Sequence, residues 1–481
     1  MTASLWASLE SAPAVGKEAG DLSIRETLLW LIVAALAFHL AYWSVAGSYL
    51  IGLYLLGLVQ LGRAETGRKA FYTGLLVGVL IAVGKLEFFW RIFSASAVAL
   101  WLVYAFWIGL FTVLAHLCSR QFGRSWGWAL LPFLWCGLEY FRSELYYLRF
   151  SWLTPGYALA LNSFDWPFSR LGTYGVGFVL TAIATGVALF WRRSAPVALL
   201  LLLAGMTAVR AWGWIEHALP ARQPSGYLRV AGVQLEFPTE KQVCTWLNEV
   251  VRRHPEADLV VLSEYTFAGP IPDSVKAWCR EQNKYLVVGG KSPVSKTNFY
   301  NTAFVISPAG EIVFQQPKAV PIQFFSDGLP APGQAVWNSP WGKIGLCICY
   351  DLSYSRVTDR LIRQGAQAMI VPTMDVEDWG MRQHALHARI APVRAAECRV
   401  PIFRLASSGI SQAVDSTGRV LASAPYPGQG AIIAASLEIG APRRLPLDRW
   451  LAPFASVVTG VVVLVLIASV WAKRPNRKPH V

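Results

Sequence analysis

The pattern of apolar and polar positions changes twice along the 481 residues. From 25 to 215, apolar and aromatic residues run in stretches long enough to cross a bilayer, which takes about 20 of them per helix. The pattern predicts seven spanning helices there, over 25–44, 46–62, 70–88, 96–117, 126–143, 168–191 and 195–215, and a last one over 451–472. Ser44–Ser48 alone separates the first two, which therefore read as a tight hairpin. Residues 1–24 form a polar N-terminal segment, and 473–481 a basic tail.

Between the seventh and eighth stretches, over 222–448, the pattern becomes that of a water-facing domain. Short apolar runs predict strands at Tyr227–Val233, Asp258–Ser263, Tyr285–Gly289, Thr302–Ser307, Glu311–Phe314, Lys343–Cys349 and Ala368–Val371. Helical periodicity appears over 354–365 and 381–398, and a final strand pair, Ser411–Asp415 and Arg419–Ser423, brackets the turn Ser416-Thr417-Gly418. Strands alternating with helices define an α/β domain.

Charge orients this arrangement. Basic clusters follow the second segment (Arg63, Arg68, Lys69), the fourth (Arg120, Arg124), the sixth (Arg192, Arg193) and the eighth (Lys473, Arg474, Arg477, Lys478). With eight helices all four clusters fall on one side. The excess of Lys and Arg on cytoplasmic loops then puts both termini in the cytoplasm and the α/β domain outside. One helix more or fewer before residue 222 would break the agreement.

Composition supports a membrane protein. Hydrophobic residues make up 54% and charged residues 15%, against about 25% charged in soluble domains. The 21 Trp suit interfacial belts. The net charge of +14 lies in short loop clusters without a nucleic-acid-binding motif, so no nucleic-acid partner is expected. Seven cysteines without regular spacing argue against a disulfide framework, and Cys347-Ile348-Cys349 is too tight for a zinc pair. Neither metal nor cofactor is expected. Met1–Leu22 lacks the apolar core of a cleavable signal.

Two features of the membrane part could carry function. The loop 144–167 is aromatic (Tyr146, Tyr147, Phe150, Trp152, Tyr157, Trp166) and reads either as an interfacial belt or as the wall of a lipid-accessible site. Glu139 and Arg142, three residues apart at the outer end of the fifth helix, could pair or serve as helix-end anchors.

In the α/β domain, Glu264, Lys318 and Cys349 each stand at the end of a predicted strand, where such domains place chemistry. A cysteine thiol needs help to ionise at neutral pH. A carboxylate can take its proton, and a lysine can hold the oxyanion that forms when the thiolate attacks an acyl carbon. Singly, each residue also fits a bland role: a solvated turn glutamate, a surface lysine, an inert core cysteine.

Together they resemble a known family. Lys343-Ile344-Gly345-Leu346-Cys347-Ile348-Cys349-Tyr350-Asp351 resembles the nucleophile strand of the nitrilase superfamily, Leu262-Ser263-Glu264 its general base and Lys318 its lysine. That resemblance implies a four-layer α-β-β-α sandwich with a Glu-Lys-Cys triad. The membrane half narrows it. Leu138-Glu139-Tyr140-Phe141-Arg142, Ser151-Trp152, Gly156-Tyr157, Gln383-His384 and Arg394-Ala395-Ala396-Glu397 are similar to the membrane-embedded branch, the apolipoprotein N-acyltransferases.

The resemblance implies a polytopic protein of the bacterial inner membrane. Its donor would be a membrane phospholipid and its acceptor the N-terminal diacylglyceryl-cysteine of an apolipoprotein, with a Cys349 thioester between them. Tyr350, Trp152 and His384 would support or position substrates. Two family glutamates are missing: Asp351 follows Cys349-Tyr350, and Asp327 or Gln323 stands in for a glutamate expected after Lys318. A membrane-tethered amidase and a non-catalytic lipid- or lipoprotein-binding protein are the alternatives.

Overall fold

The computed structural model describes residues 21–218, 225–441 and 444–472. Most of the N-terminal segment, the junction at residue 222 and the basic tail lie outside the described residues.

Every predicted membrane segment is helical: α1 (Ile24–Ala41), α2 (Leu50–Leu61), α3 (Gly67–Lys85), α4 (Ala97–Gln121), α5 (Leu131–Tyr140), α6 (Phe168–Phe190) and α7 (Ala195–Ala218). Six helical stretches among the described residues are long and apolar enough to cross a membrane: Ile24–Ala41, Gly67–Lys85, Phe88–Gln121, Phe168–Phe190, Ala195–Ile215 and Asp448–Ala472. The other two differ from expectation. α2 has 12 residues, which extend about 18 Å against a hydrocarbon core of about 30 Å. The fifth stretch breaks into Gly123–Ala129, α5 and one wide turn, Phe141–Leu145.

The domain that follows contains twelve strands in two six-stranded sheets. The first sheet runs β12-β1-β2-β3-β4-β5, with β1 Gly226–Val233, β2 Leu259–Val261, β3 Tyr285–Pro293, β4 Phe299–Ile306, β5 Ile312–Pro317 and β12 Ile432–Ile439. The second runs β11-β10-β9-β8-β7-β6, with β6 Val336–Ser339, β7 Gly342–Leu346, β8 Ala368–Thr373, β9 Ile402–Ala406, β10 Ser411–Val414 and β11 Val420–Ala424. In each sheet the central pairs (β1-β2-β3 and β7-β8-β9) are parallel and the flanking pairs antiparallel.

Helices cover the outer faces. α8 (Glu240–Arg253) and α9 (Asp273–Gln282) bury Val243, Leu247, Val250, Val275 and Trp278 against Val233, Val260, Leu262 and Val288 of the first sheet. On the second sheet lie α10 (Ser355–Arg363), α11 (Met381–Ala388) and α12 (Ile390–Cys398). The sequence pattern joins the last two into one helix over 381–398; the chain bends at Arg389, between them. The last helix, α13 (Asp448–Ala472), packs on α5 and α6.

The two halves are joined by buried polar contacts. The Glu144 Oε1 carboxylate oxygen accepts from the Ser355 N–H and hydroxyl, both at 2.8 Å. The Glu397 carboxylate accepts from the Thr173 N–H of α6 at 2.6 Å, from Arg394 Nη1 at 2.5 Å and from Arg449 Nη2 at 3.1 Å. Arg394 donates onward to the Leu352 and Ser353 carbonyls, 3.1 and 2.8 Å away. Gly172, at φ +71°, makes room for this junction: a Cβ there would lie 2.1 Å from the Asp448 carboxylate.

Candidate active site

Loops after four strands build the site. Glu264 follows β2 and Lys318 follows β5, both in the first sheet; Cys349 follows β7 and Met374 follows β8, both in the second. Glu264 and Lys318 therefore come from one sheet and Cys349 from the other, so the sandwich itself sets their separation. Gly289 on β3 admits the Glu264 backbone; a Cβ on Gly289 would lie 2.5 Å from the Glu264 Cα. Cys349 (φ +50°) and Tyr265 (φ +54°) hold left-handed backbone, a conformation that costs a non-glycine residue energy and clusters at functional sites.

The side chains form one buried network. Lys318 Nζ lies 2.8 Å from Glu264 Oε1 and 2.7 Å from Asp327 Oδ2. Asn301 Nδ2 bridges the same two carboxylates, donating to Glu264 at 2.6 Å and to Asp327 at 2.8 Å. The Met374 N–H donates to Glu264 Oε2 at 2.7 Å, and the Met374 carbonyl accepts from Cys349 Sγ at 3.6 Å. One residue thus touches both Glu264 and Cys349. Tyr265 Oη and the Ile322 N–H also donate to Asp327, at 2.9 and 2.8 Å.

Burial raises the Glu264 carboxyl, opposed by the Lys318 ammonium. Burial alone would lower Lys318, but Glu264 and Asp327 outweigh it and hold the ammonium well above its ordinary range. Burial would raise Asp327 too, yet the Lys318 charge beside it holds that carboxyl below its usual value. Burial and the Glu264 charge push the Cys349 thiol well up. Cys349 consequently rests as a thiol, and it would need a base in order to act as a nucleophile.

Asp351 is a clamp. Its carboxylate accepts from the N–H groups of Ala319 (3.0 Å), Val320 (2.7 Å) and Ile348 (3.1 Å), which ties the lysine loop to the nucleophile strand. Burial pushes this carboxyl up to about 6, against the nearby Lys318 charge and those three donors. Tyr350 packs edge-on to Trp152 with ring centroids 6.0 Å apart, and its hydroxyl donates to the Arg149 carbonyl at 3.0 Å.

From Cys349 an open cavity runs toward the membrane helices. Phe89, Phe93, Val103 and Trp107 wall it on the membrane side, Phe150 and Trp152 from the loop 144–167, and Phe324 and Phe325 from the loop after Lys318. Gln323 also lines it, donating its Nε2 to the Tyr147 carbonyl at 3.1 Å. The aromatic loop is thus part of a cavity wall as well as aromatic.

Other expected residues fall differently. Arg142 lines the cavity and stacks 4.9 Å from the Tyr104 ring, but it does not pair with Glu139. Both Glu139 carboxylate oxygens are buried without a hydrogen-bond partner, facing Gly177 of α6. The wide turn at Phe141–Leu145 changes the helical register that would have aligned the two. His384 is buried outside the cavity, stacked on Tyr426 at 4.1 Å. One turn on, His387 faces the cavity, stacked on Trp152 at 4.7 Å and held through Nδ1 by Asp375 at 2.7 Å. Asp375 is bound in turn by Arg404.

Sequence reasoning missed Asn301, Met374 and His387. Asn301 sits two residues from Phe299 on β4, so period-two alternation would have placed it on an inward face. Met374 acts through its backbone and leaves no signal in residue type.

The pairing of a carbon–nitrogen hydrolase sandwich with membrane helices defines the class: a membrane-embedded member of the nitrilase superfamily. Residues 229–438 match the carbon–nitrogen hydrolase family, and residues 31–186 match the N-terminal domain of apolipoprotein N-acyltransferase. Apolipoprotein N-acyltransferase of Geobacter metallireducens is 25% identical over 78% of this chain and 82% of its own length. That of Shewanella oneidensis is 25% identical over 69% of this chain and 73% of its own. Among solved structures, the carbon–nitrogen hydrolase of Helicobacter pylori G27 is 17% identical, with a TM-score of 0.39 over 52% of this chain and 95% of that one. The chain belongs to the apolipoprotein N-acyltransferase family.

Proposed function

We propose that this chain moves an acyl group from a membrane phospholipid, through a thioester on Cys349, to the α-amine of the N-terminal diacylglyceryl-cysteine of apolipoproteins. The observation that carries this reading is the cavity. The nucleophile opens onto aromatic and aliphatic side chains of membrane helices, which suits an acyl chain far better than a small polar amide.

Glu264 takes the Cys349 proton as sulfur attacks the ester carbonyl. The oxyanion is held by the Lys318 ammonium, whose two carboxylate partners use two of its three N–H donors, and by the backbone N–H of Tyr350. The intermediate collapses, the proton passes from Glu264 to the leaving oxygen, and lysophospholipid departs. The lipoprotein amine then attacks the thioester, Glu264 takes the amine proton and returns it to sulfur, and the amide is released. Of the two candidates for the family's second glutamate, we assign Asp327 on the support of its contact with Lys318; Gln323 lines the cavity.

In this reading eight segments cross the inner membrane, both termini are cytoplasmic and the sandwich faces the periplasm. The loop charges support that orientation.

The test is intact-mass measurement of the purified protein with phospholipid. A Cys349 adduct of acyl mass, absent in Cys349→Ala and discharged by a diacylglyceryl lipopeptide, is the expected result. Discharge by water alone would identify an amidase, and no adduct would identify a binding protein.

A further inference from the structure

A second, larger cleft lies at the seam between the membrane helices and the sandwich. Its membrane side is the outer ends of α1 and α3, with His39, Lys85 and, just beyond, Arg91. From the sandwich come Arg382 of α11, Arg389 at the bend before α12, and Arg419 between β10 and β11. Six basic side chains thus face one carboxylate, Glu87, which Arg382 already engages at 3.0 Å.

Four of the six are engaged: Arg382 also donates to the Gly84 carbonyl, His39 Nε2 lies 3.2 Å from the Leu80 carbonyl, Arg389 Nη2 donates to the Tyr42 carbonyl at 2.5 Å, and Lys85 Nζ donates to the His39 carbonyl at 3.1 Å. Carbonyls leave their charges unneutralised. Arg419 rests over the Phe164 ring at 5.1 Å, and among the described residues no hydrogen bond or ion pair engages the Arg91 guanidinium. A cleft lined by one sign of charge concentrates the opposite ion.

Its setting says which anion. The basic groups sit at the ends of two apolar helices, at headgroup height. Trp43 beside them is 78% exposed, as an interfacial tryptophan would be. Leu36, Leu40, Leu80 and Val83, on the same two helix ends, expose their side chains and offer an apolar apron that a free anion has no use for. We propose that this cleft binds the phosphate headgroup of an anionic membrane lipid, with its acyl chains along α1 and α3. It is separate from the cavity at Cys349; Phe88 and Trp379 line both and stand between them. The bound lipid bridges α1 and α3 to α11, and the inference is independent of the acyl-transfer reading.

The experiment uses the full chain carrying Cys349→Ala, so that no lipid is consumed, in a neutral detergent. Native mass spectrometry reads binding of phosphatidylglycerol, phosphatidylcholine and inorganic phosphate. Phosphatidylglycerol should bind more tightly than phosphatidylcholine. Arg91→Gln with Arg419→Gln should weaken it about thirty-fold, taking roughly 1 kcal/mol per basic side chain near a charged surface. Arg91→Lys with Arg419→Lys should retain binding, which separates lost charge from lost fold. Unchanged affinity in the double glutamine variant, or complete displacement of the lipid by inorganic phosphate, would overturn the proposal.

Discussion

At the scale of single residues the site is a chain of dependencies around Lys318. Its ammonium is shared by Glu264 and Asp327, and Asn301 locks the two carboxylates together. Glu264→Gln should slow formation of the Cys349 adduct by roughly 10²–10⁴-fold, the usual contribution of a positioned base, and Lys318→Ala should abolish it. Normal acylation in either variant would remove that residue from the mechanism. Asp327 admits a sharper test. Burial, and with it the Asp327 charge, raises the Glu264 carboxyl, and in the proposed mechanism Glu264 must be ionised to accept the thiol proton. The acid limb of the acylation rate should therefore lie above pH 4.5, the ordinary value for that carboxyl. Asp327→Asn should move the limb to lower pH while leaving the plateau measurable. A lost plateau would instead make Asp327 itself a proton carrier. Glu264 and Cys349 stood out because each follows an apolar run, whereas Lys318 follows Gln315-Gln316-Pro317 and stood out only as a lysine after a predicted strand. His387 did not: His384 and His387 lie one turn apart on α11, and only packing against Trp152 decides which faces the cavity.

At the scale of elements, the cavity proposed to hold the acyl chain is made by pieces distant in sequence: α4 and the short helix Phe88–Phe93 before it, the loop 144–167, and the loop after Lys318. Phe93 meets both Phe324 and Phe325, with centroids 6.0 and 5.8 Å away, so the sandwich closes the cavity over the membrane helix. Val103 on α4 points into it. Val103→Trp should fill that volume and shorten the acyl chains found on Cys349, read directly as adduct mass; an unchanged distribution would place the chain elsewhere. The central buried strands β2, β3, β7 and β8 were readable as apolar runs. The edge strands β6 and β12 were not, although the edge strands β5 and β11 were read from the turns beside them. β9 was hidden by Arg404, a buried charge inside an otherwise apolar run, kept there by Asp375. α8 escaped notice because its polar faces mask the narrow stripe Val243, Leu247, Val250.

At the scale of the whole molecule, Glu397 joins α6, α12 and the start of α13 through Thr173, Arg394 and Arg449. Burial would raise its carboxyl, but the two guanidinium groups outweigh that and hold it at about 2. Depressed from 4.5, it contributes stability that is present above about pH 4.5 and lost as pH falls toward 2, of order 3 kcal/mol. Glu397→Gln should lower the thermal midpoint at pH 7 and flatten its acid dependence, followed by tryptophan fluorescence. Orientation is the remaining property of the whole. It rests on the parity of crossings, and α2 and the broken fifth segment are the two stretches on which that parity turns. Cys244, on α8 of the sandwich, settles it: the cysteine there is half-buried, and the other six are buried. A membrane-impermeant thiol reagent applied to spheroplasts should label the wild-type protein and not Cys244→Ser. Labelling that requires broken membranes would put the sandwich in the cytoplasm. It would change the count before residue 222 by one helix, and remove the access to the outer leaflet that the proposed acyl transfer needs.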